Sequence, residues 1–307
     1  MSIVTLTVNP ALDKSAKIDQ MVPEQKLGCH AIQYQAGGGG VNISRVLKVL
    51  EVKNKCLFTS GGDTGEHLKN LLEKENIPLK EIPVEAWTRE NFSVVDTKTE
   101  LQYRFGMPGN GLTVTEIDLI KRIIDEEVTE NSILVLSGSL SEHMPLDLYV
   151  QLIQQVAGKN VKIIVDTSGK ALLETIKEPV YLIKPNQQEL AKMVGKEFLS
   201  KKEQEAAAMQ LVHAKTATYV VVSMGARGAF LASAEGIVYR NTPSIKVKST
   251  IGAGDSMVAG MVFAIQQNLT PEEILKWGVV CGSATTMSEG TNLASAEDIQ
   301  EILRLIG

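Results

Sequence analysis

The sequence predicts an α/β protein: a doubly wound, mostly parallel sheet with helices on both faces, and a small antiparallel β lid set apart from it. Three observations carry this expectation. Short β-branched runs recur that are apolar on both parities, as parallel strands covered on two faces must be. Segments of helical period lie between them. Two further stretches alternate apolar and polar residues, the mark of strands with one apolar face.

In chain order, Ile3 to Val8 reads as the first strand, and Asn9-Pro10-Ala11-Leu12-Asp13 as a turn after it. His30 to Gln35 is the first lid stretch, with Ile32 and Tyr34 alternating with Gln33 and Gln35. A helix over Val41 to Leu50, a strand over Lys55 to Thr59 and a helix over Glu66 to Glu75 follow. Phe92 to Phe105 is the second lid stretch, in which Leu101, Tyr103 and Phe105 alternate with Gln102 and Arg104. The alternation then resumes: helix Glu116 to Glu127, strand Ile133 to Leu136, helix Leu146 to Val156, and strands Val161 to Val165 and Val180 to Ile183. Helix Glu203 to Ala214 and strand Tyr219 to Val222 complete it. The last quarter is helical, from Met257 to Ile265, then from Thr270-Pro271-Glu272-Glu273, which joins an N-cap hydroxyl to a proline at the first helical position, and finally from Ser295. A lid this small cannot bury its own apolar side, so it must cover a cleft or pair with another subunit.

With 307 residues, 44% apolar and 22% charged, the chain has the composition of a soluble globular protein. It reads as a single domain over 1–307, the lid interleaved at about 12–36 and 88–108. Lys plus Arg number 31 against 36 Asp plus Glu, a net charge of -5, so there is no general positive field to hold nucleic acid. No run approaches the roughly 20 apolar residues of a membrane span, and MSIVTLTVNPALDK lacks a basic segment followed by an apolar one. A cytoplasmic protein without a membrane partner is expected. Cys29, Cys56 and Cys281 are far apart, and His30, His67, His143 and His213 are scattered, which argues against disulfides and zinc. A metal here would need oxygen ligands.

The sharpest signal is Ser249-Thr250-Ile251-Gly252-Ala253-Gly254-Asp255-Ser256, immediately before a helical run. Glycines opening a helix admit a phosphate to the free N–H groups and the positive end of the dipole. Asp255, in the first turn, could then orient or deprotonate an attacking hydroxyl; the plainer alternative is a glycine turn capped by an aspartate. Lys184-Pro185-Asn186-Gln187-Gln188-Glu189 lies where a strand ends and a helix begins, the usual ligand edge of an open α/β sheet. Asn186 and Glu189 offer oxygen donors suited to Mg²⁺ held through water and phosphate, or else merely cap the helix. Gly37-Gly38-Gly39-Gly40-Val41-Asn42 matches neither G-x-x-x-x-G-K-[ST] nor G-x-G-x-x-G. Its glycines could pack against a flat polar ligand such as a sugar, with the Asn42 amide as donor and acceptor. Asp13 could accept from sugar hydroxyls or cap its turn. Lys26, Arg89 and Arg104 fall in or beside the lid and could clamp an anion, and Ser137-Gly138-Ser139 could add a hydroxyl.

Together, G-G-G-G-V-N, K-P-N-x-x-E and S-T-x-G-A-G-D-S resemble the PfkB family of sugar kinases, of ribokinase-like fold, over essentially the whole chain. Asp13, Lys26, Thr64 to Leu68, Trp87 to Asn91, Gln102 to Gly109 and Ser137 to Ser139 look most like the bacterial 6-phosphofructokinase branch. Gly39 stands where relatives acting on fructose 1-phosphate or tagatose 6-phosphate usually have lysine, and Ser249-Thr250 where the family commonly has Asp-Thr or Asp-Ser. The resemblance implies ATP-dependent phosphorylation of the 1-hydroxyl of fructose 6-phosphate to fructose 1,6-bisphosphate. Asp255 would be the base, and the amides of Gly252, Ala253, Gly254 and Asp255 the anion hole. Asn186 and Glu189 would organise Mg²⁺-ATP, largely through water, with Lys184, Ser223, Gly225, Gly228, Gly282 and Ser283 at the nucleotide. Asp13, Gly38, Gly39 and Asn42 would hold the sugar. Lys26, Arg89, Arg104 and Ser139 would meet its 6-phosphate, Arg89 being able to reach across a homodimer formed by the lids. A K⁺ site would draw on Ser288 to Asn292, where Ser288 and Asn292 replace the expected asparagine and arginine.

Rivals within the family are tagatose-6-phosphate kinase and 1-phosphofructokinase. A catalytically silent sensor of sugar phosphate or nucleotide is the non-enzymatic rival; a lost base would favour it, and Asp255 is present. A dinucleotide oxidoreductase rests on the α/β pattern alone and lacks its fingerprint.

Overall fold

The computed structural model describes residues 1–307. The chain enters through β1 (Ile3–Thr7), leaves for β2 (Ala11–Ile18) and β3 (His30–Gly37), and returns through α1 (Gly39–Val49) to β4 (Lys55–Ser60). Helix α2 (Gly62–Lys74) and β5 (Leu79–Pro83) follow, before a second excursion as β6 (Arg89–Asp96) and β7 (Gln102–Phe105). The other wing comprises α3 (Val114–Glu127), β8 (Ile133–Ser137), α4 (Leu148–Val156), β9 (Lys162–Asp166), α5 (Gly169–Thr175) and β10 (Val180–Ile183). It continues through α6 (Gln187–Met193), α7 (Lys201–His213) and β11 (Ala217–Ser223). The hairpin β12 (Ala229–Ser233) and β13 (Gly236–Arg240) precedes α8 (Ala253–Gln266), α9 (Pro271–Thr286) and α10 (Ala296–Ile306).

The main sheet has nine strands in the order β13-β12-β11-β10-β9-β8-β1-β4-β5. Pairing is parallel from β11 to β5 and antiparallel at the terminal hairpin. Strand order reverses about β1, which has β4 on one side and β8 on the other. That reversal splays the connections above β1 and β8 apart and opens a crevice at their carboxyl ends.

Apolar residues on both parities of β8 are explained by two cores. Leu134 and Leu136 enter one, beneath α3 and α4, while Ile133 and Val135 enter the other, beneath α1, α8 and α9. Helices α8 and α9 are apolar around most of their circumference because they pack on each other as well as on the sheet. Their starts follow the local signals: Thr270 accepts from the Glu273 N–H with Pro271 in the first turn, and Ser295 caps α10.

The second sheet, β3-β2-β6-β7, is the lid. Its outer pairings are antiparallel, and β2 runs parallel to β6. The Phe92–Phe105 stretch divides into β6 and β7 about a turn in which Glu100 has φ 59°. Residues 11–18, assigned from the sequence to the lid without a strand and beginning in the turn Asn9 to Asp13, form the central strand β2. Asp13, Lys14, Ser15 and Lys17 carry little strand propensity, and it is pairing with β3 and β6 on both edges that makes them extended. Short β5, β12 and β13 were not read from the sequence either. Ala16, Ile18 and Val94 are buried under the lid, but Leu101 is 58% and Ile32 51% exposed, with Tyr34 and Phe105 exposed beside them. No helix is long and apolar enough to cross a membrane.

Leu136, fully buried at the centre of β8, tests the two-sided core. Leu136→Ala should lower the free energy of unfolding in urea by about 2–5 kcal/mol, the range for a buried leucine whose cavity cannot collapse. A loss below about 1 kcal/mol would contradict a close-packed sheet at this point.

Candidate active site

Helix α8 begins at Gly252, whose φ of 73° is left-handed, and a Cβ there would lie 2.5 Å from Leu293. The N–H groups of Gly254 and Asp255 have no backbone carbonyl to bond, because the chain turns sharply just before them. They join the positive end of the helix dipole to make an anion site.

Asp255 sits beneath these amides. The Asn42 amide, from α1, donates to its carboxylate at 2.7 Å. Burial and the neighbouring Asp166 carboxylate push Asp255 up to about 7, with Asp13 adding to the rise, while Asn42 and Lys184 work in the opposite direction. Lys184 Nζ lies 3.2 Å from Asp166, their side chains 9% and 14% exposed. Burial disfavours charge on Lys184, but the carboxylates of Asp166, Asp255 and Glu189 together outweigh it and hold the ammonium above its ordinary value. Lys184 also lies beside Gly254, placing a cation at the anion site.

Two cavities meet at this loop. One, of about 720 Å³, is bordered by Ala253 and Gly254 and is lined by Ser223, Gly225, Gly228, Gly282 and Ser283 of the residues expected at the nucleotide, while Lys184 and Asn186 do not line it. Ile245, Val247, Met257 and Val279 give it an apolar wall suited to a flat ring, and its size is that of a ligand pocket. Ser283 Oγ is buried there without a hydrogen-bond partner. The other cavity, of about 180 Å³ under the lid, contains Asp13, Arg89, Asn91, Arg104, Ile251 and Thr291. Arg104 makes no ion pair and stands exposed at its edge.

The remaining candidates separate. Gly38 and Gly39 form the start of α1, Gly39 pressed against Ser137 at the end of β8. Ser139 is half-buried just beyond β8 and does not line the lid cavity. Lys26 is exposed in the β2–β3 loop, away from that cavity in its own chain. Arg89 differs from its expected role as a free phosphate clamp: it donates to the carbonyls of Asn9, Pro10 and Met107, so its guanidinium ties the lid to the loop after β1. Asn186 and Glu189 form a reciprocal cap on α6, the Asn186 oxygen accepting from Glu189 N–H and Glu189 Oε2 from Asn186 N–H. Glu189 Oε1 stays free, and Glu189 faces Lys184.

Sequence reasoning missed Asp166 and the part played by Asn91. Asp166 immediately follows an expected strand, at the ligand edge of the sheet, and that position was the available signal. Asn91 lay within the Trp87–Asn91 segment noted for its resemblance, but its partner Asp13 belongs to another strand, so their pairing was not legible there.

A family model described as pfkB family carbohydrate kinase matches residues 4–298. The chain is 39% identical over 304 residues to the ATP-dependent 6-phosphofructokinase isozyme 2 of Escherichia coli (strain K12), covering 98% of this chain and 97% of that protein. It is 34% identical over 307 residues to the 1-phosphofructokinase of Bacillus subtilis (strain 168), covering 98% and 97%. The crystal structure of phosphofructokinase-2 from Escherichia coli in complex with fructose-6-phosphate matches with a TM-score of 0.94 at 37% identity, covering 99% of this chain and 98% of that one. With a match of this extent laid over a helix-opening anion loop and a perturbed aspartate, the chain belongs to the pfkB family of carbohydrate kinases.

Proposed function

We propose that this kinase transfers the γ-phosphoryl group of ATP to the 1-hydroxyl of fructose 6-phosphate, giving fructose 1,6-bisphosphate. One observation carries the reading: the loop from Thr250 to Gly254 walls both cavities, Ile251 facing the lid cavity and Thr250, Ala253 and Gly254 the larger cleft. An acceptor in the first and a nucleotide in the second would meet at Asp255.

In this reading Asp255 accepts the proton of the attacking 1-hydroxyl. A carboxylate poised near 7 is matched to that task, since roughly half of it is ionised at neutral pH and it is basic enough to hold the proton as the bond forms. The free amides of Gly254 and Asp255 and the Lys184 ammonium receive the charge of the transferring group, already oriented and partly desolvated. The donor set of Asn186, Glu189 and Asp166 is hard oxygen and fits Mg²⁺ held through water and phosphate, which when bound would neutralise charge on the polyphosphate. A K⁺ site over Ser288 to Asn292 would rest on backbone carbonyls, because Ser288 Oγ donates to Leu293 and Asn292 turns to Gln35. Asp13 would take sugar hydroxyls and Arg104 the 6-phosphate. Gly39 favours fructose 6-phosphate over the isomers used by the lysine-bearing relatives.

The exposed Leu101, Ile32, Tyr34 and Phe105 support a homodimer in which two lids pack together. Burying such side chains is worth roughly 1.5–3 kcal/mol each before entropy is subtracted. Lys26, remote from its own cavity, sits on the lid loop that a second subunit would approach.

A coupled ADP-release assay over fructose 6-phosphate, fructose 1-phosphate and tagatose 6-phosphate should give the highest kcat/KM with the first; a preference for either of the others would reassign the acceptor. Arg104→Ala should raise the KM for sugar phosphate and leave that for ATP nearly unchanged, whereas equal rises would put Arg104 in the wrong subsite. Asp255→Asn should cut kcat by about 10² to 10⁴. The same change should raise Tm: between the ordinary 3.8 and about 7 the folded Asp255 holds a proton that the unfolded chain releases, so its contribution to stability declines as pH rises through that window. The gain should therefore be larger at about pH 8 than at about pH 5, and an unchanged Tm difference would refute the desolvated carboxylate. Leu101→Asp should yield inactive monomer with the main sheet folded, and sedimentation of a fully active monomer would refute lid pairing.

A further inference from the structure

We propose that Asn91 is a positioning residue for the acceptor: its side-chain amide fixes the Asp13 carboxylate in the orientation in which it receives sugar hydroxyls. The proposal rests on the reading of the lid cavity as the acceptor site. Strands β2 and β6 run parallel with Asp13 opposite Asn91, so the two side chains leave the lid side by side. Asn91 Nδ2 donates to Asp13 Oδ1 at 2.8 Å. Its Oδ1 accepts the Met107 N–H at 3.2 Å. A backbone N–H can only donate, so this second bond decides which end of the amide faces the carboxylate.

Asp13 has no other side-chain partner. Arg89 and Arg104 face it from β6 and β7, Arg45 from α1 and Asp255 from α8, but none of them touches it. The Arg89 guanidinium is occupied by backbone carbonyls, and Arg45 by Glu75 and the Ala36 carbonyl. On its far side the carboxylate is wedged against Gly37, where a Cβ would fall 2.2 Å from Oδ2. One hydrogen bond and one wall thus set its rotation, and the remaining lone pairs face the cavity. Burial raises the Asp13 pKa, and the Asn91 bond is the leading influence that opposes the rise, ahead of the three arginines. An amide can do this without neutralising the carboxylate or filling its lone pairs, as a bidentate arginine would.

The test is calorimetric titration of fructose 6-phosphate into the full-length protein, in the wild type, Asn91→Leu and Asn91→Asp, from about pH 8 to about pH 5.5. Asn91→Leu should weaken binding roughly tenfold to a hundredfold, the range for losing a hydrogen bond to a charged group, and the ratio to wild type should grow as pH falls because Asp13 then protonates more readily. Titration of the sugar phosphate itself is common to all three proteins and cancels in the ratios. Asn91→Asp is isosteric, keeps the acceptor for Met107 and changes only the donor. It should bind poorly at about pH 8, where two carboxylates face each other, and recover as pH falls and the new carboxyl donates its proton. The opposite pH trends are the signature of positioning through Asp13. Equal, pH-independent losses in both variants would overturn the proposal, as would unchanged affinity in either. ATP affinity should match wild type in both variants, and a parallel loss there would also overturn it. Absence of fructose 6-phosphate binding by the wild type would instead reject the acceptor assignment on which the proposal stands.

Discussion

A carboxylate that has lost most of its water governs the arrangement of this molecule. Asp255 could be left buried and unpaired only at a prohibitive cost, so it is partnered by the Asn42 amide and balanced by Lys184, whose own charge is sustained by Asp166. Each partner comes from a different element: α1, the end of β10 and the end of β9. The sheet must therefore bring the carboxyl ends of its central strands, and the starts of α1 and α8, to one point. The reversal of strand order about β1 does this, because connections on its two sides diverge and leave room between them.

From that point the division of labour follows. The glycine turn before α8 leaves amides free on one side of the loop and a carboxylate beneath them, and the same loop separates the two cavities. The nucleotide-sized cleft is walled by apolar side chains and small residues, whereas the lid cavity is walled by ions and amides. A flat, weakly polar ring and a polyhydroxylated anion would thus each find a matching surface, with the reacting atoms at the common wall.

The lid shows how charge is apportioned. Of the arginines near the acceptor cavity, Arg89 is engaged in holding the lid to the core, while Arg104 is unpaired and exposed. Both line the lid cavity, and Arg89 is in addition bound to three backbone carbonyls. The exposed apolar face of the lid is the complementary feature: a small sheet anchored on one side to the core is left with a second side that only another surface can cover.

The amino-acid sequence by itself determined most of the alternating strands and helices, most helix starts, and the three glycine or capping motifs, because each is written in neighbouring residues: β-branched runs, N-cap hydroxyls, a proline in the first turn. The same locality made Asp255 and Gly254 legible in the sequence, whereas the nucleotide-cleft residues were expected only from the family resemblance. Tertiary structure alone decided that residues 11–18 are a central strand, that Arg89 ties the lid to the loop after β1, and that Lys26 lies away from its own cavity. It alone paired Asn42 with Asp255 across 213 residues, Asn91 with Asp13 across 78, and Lys184 with Asp166. The reason is physical: propensity and capping act within a few residues, whereas the partner of a buried charge is chosen by which strand ends and helix starts the winding of the sheet brings together.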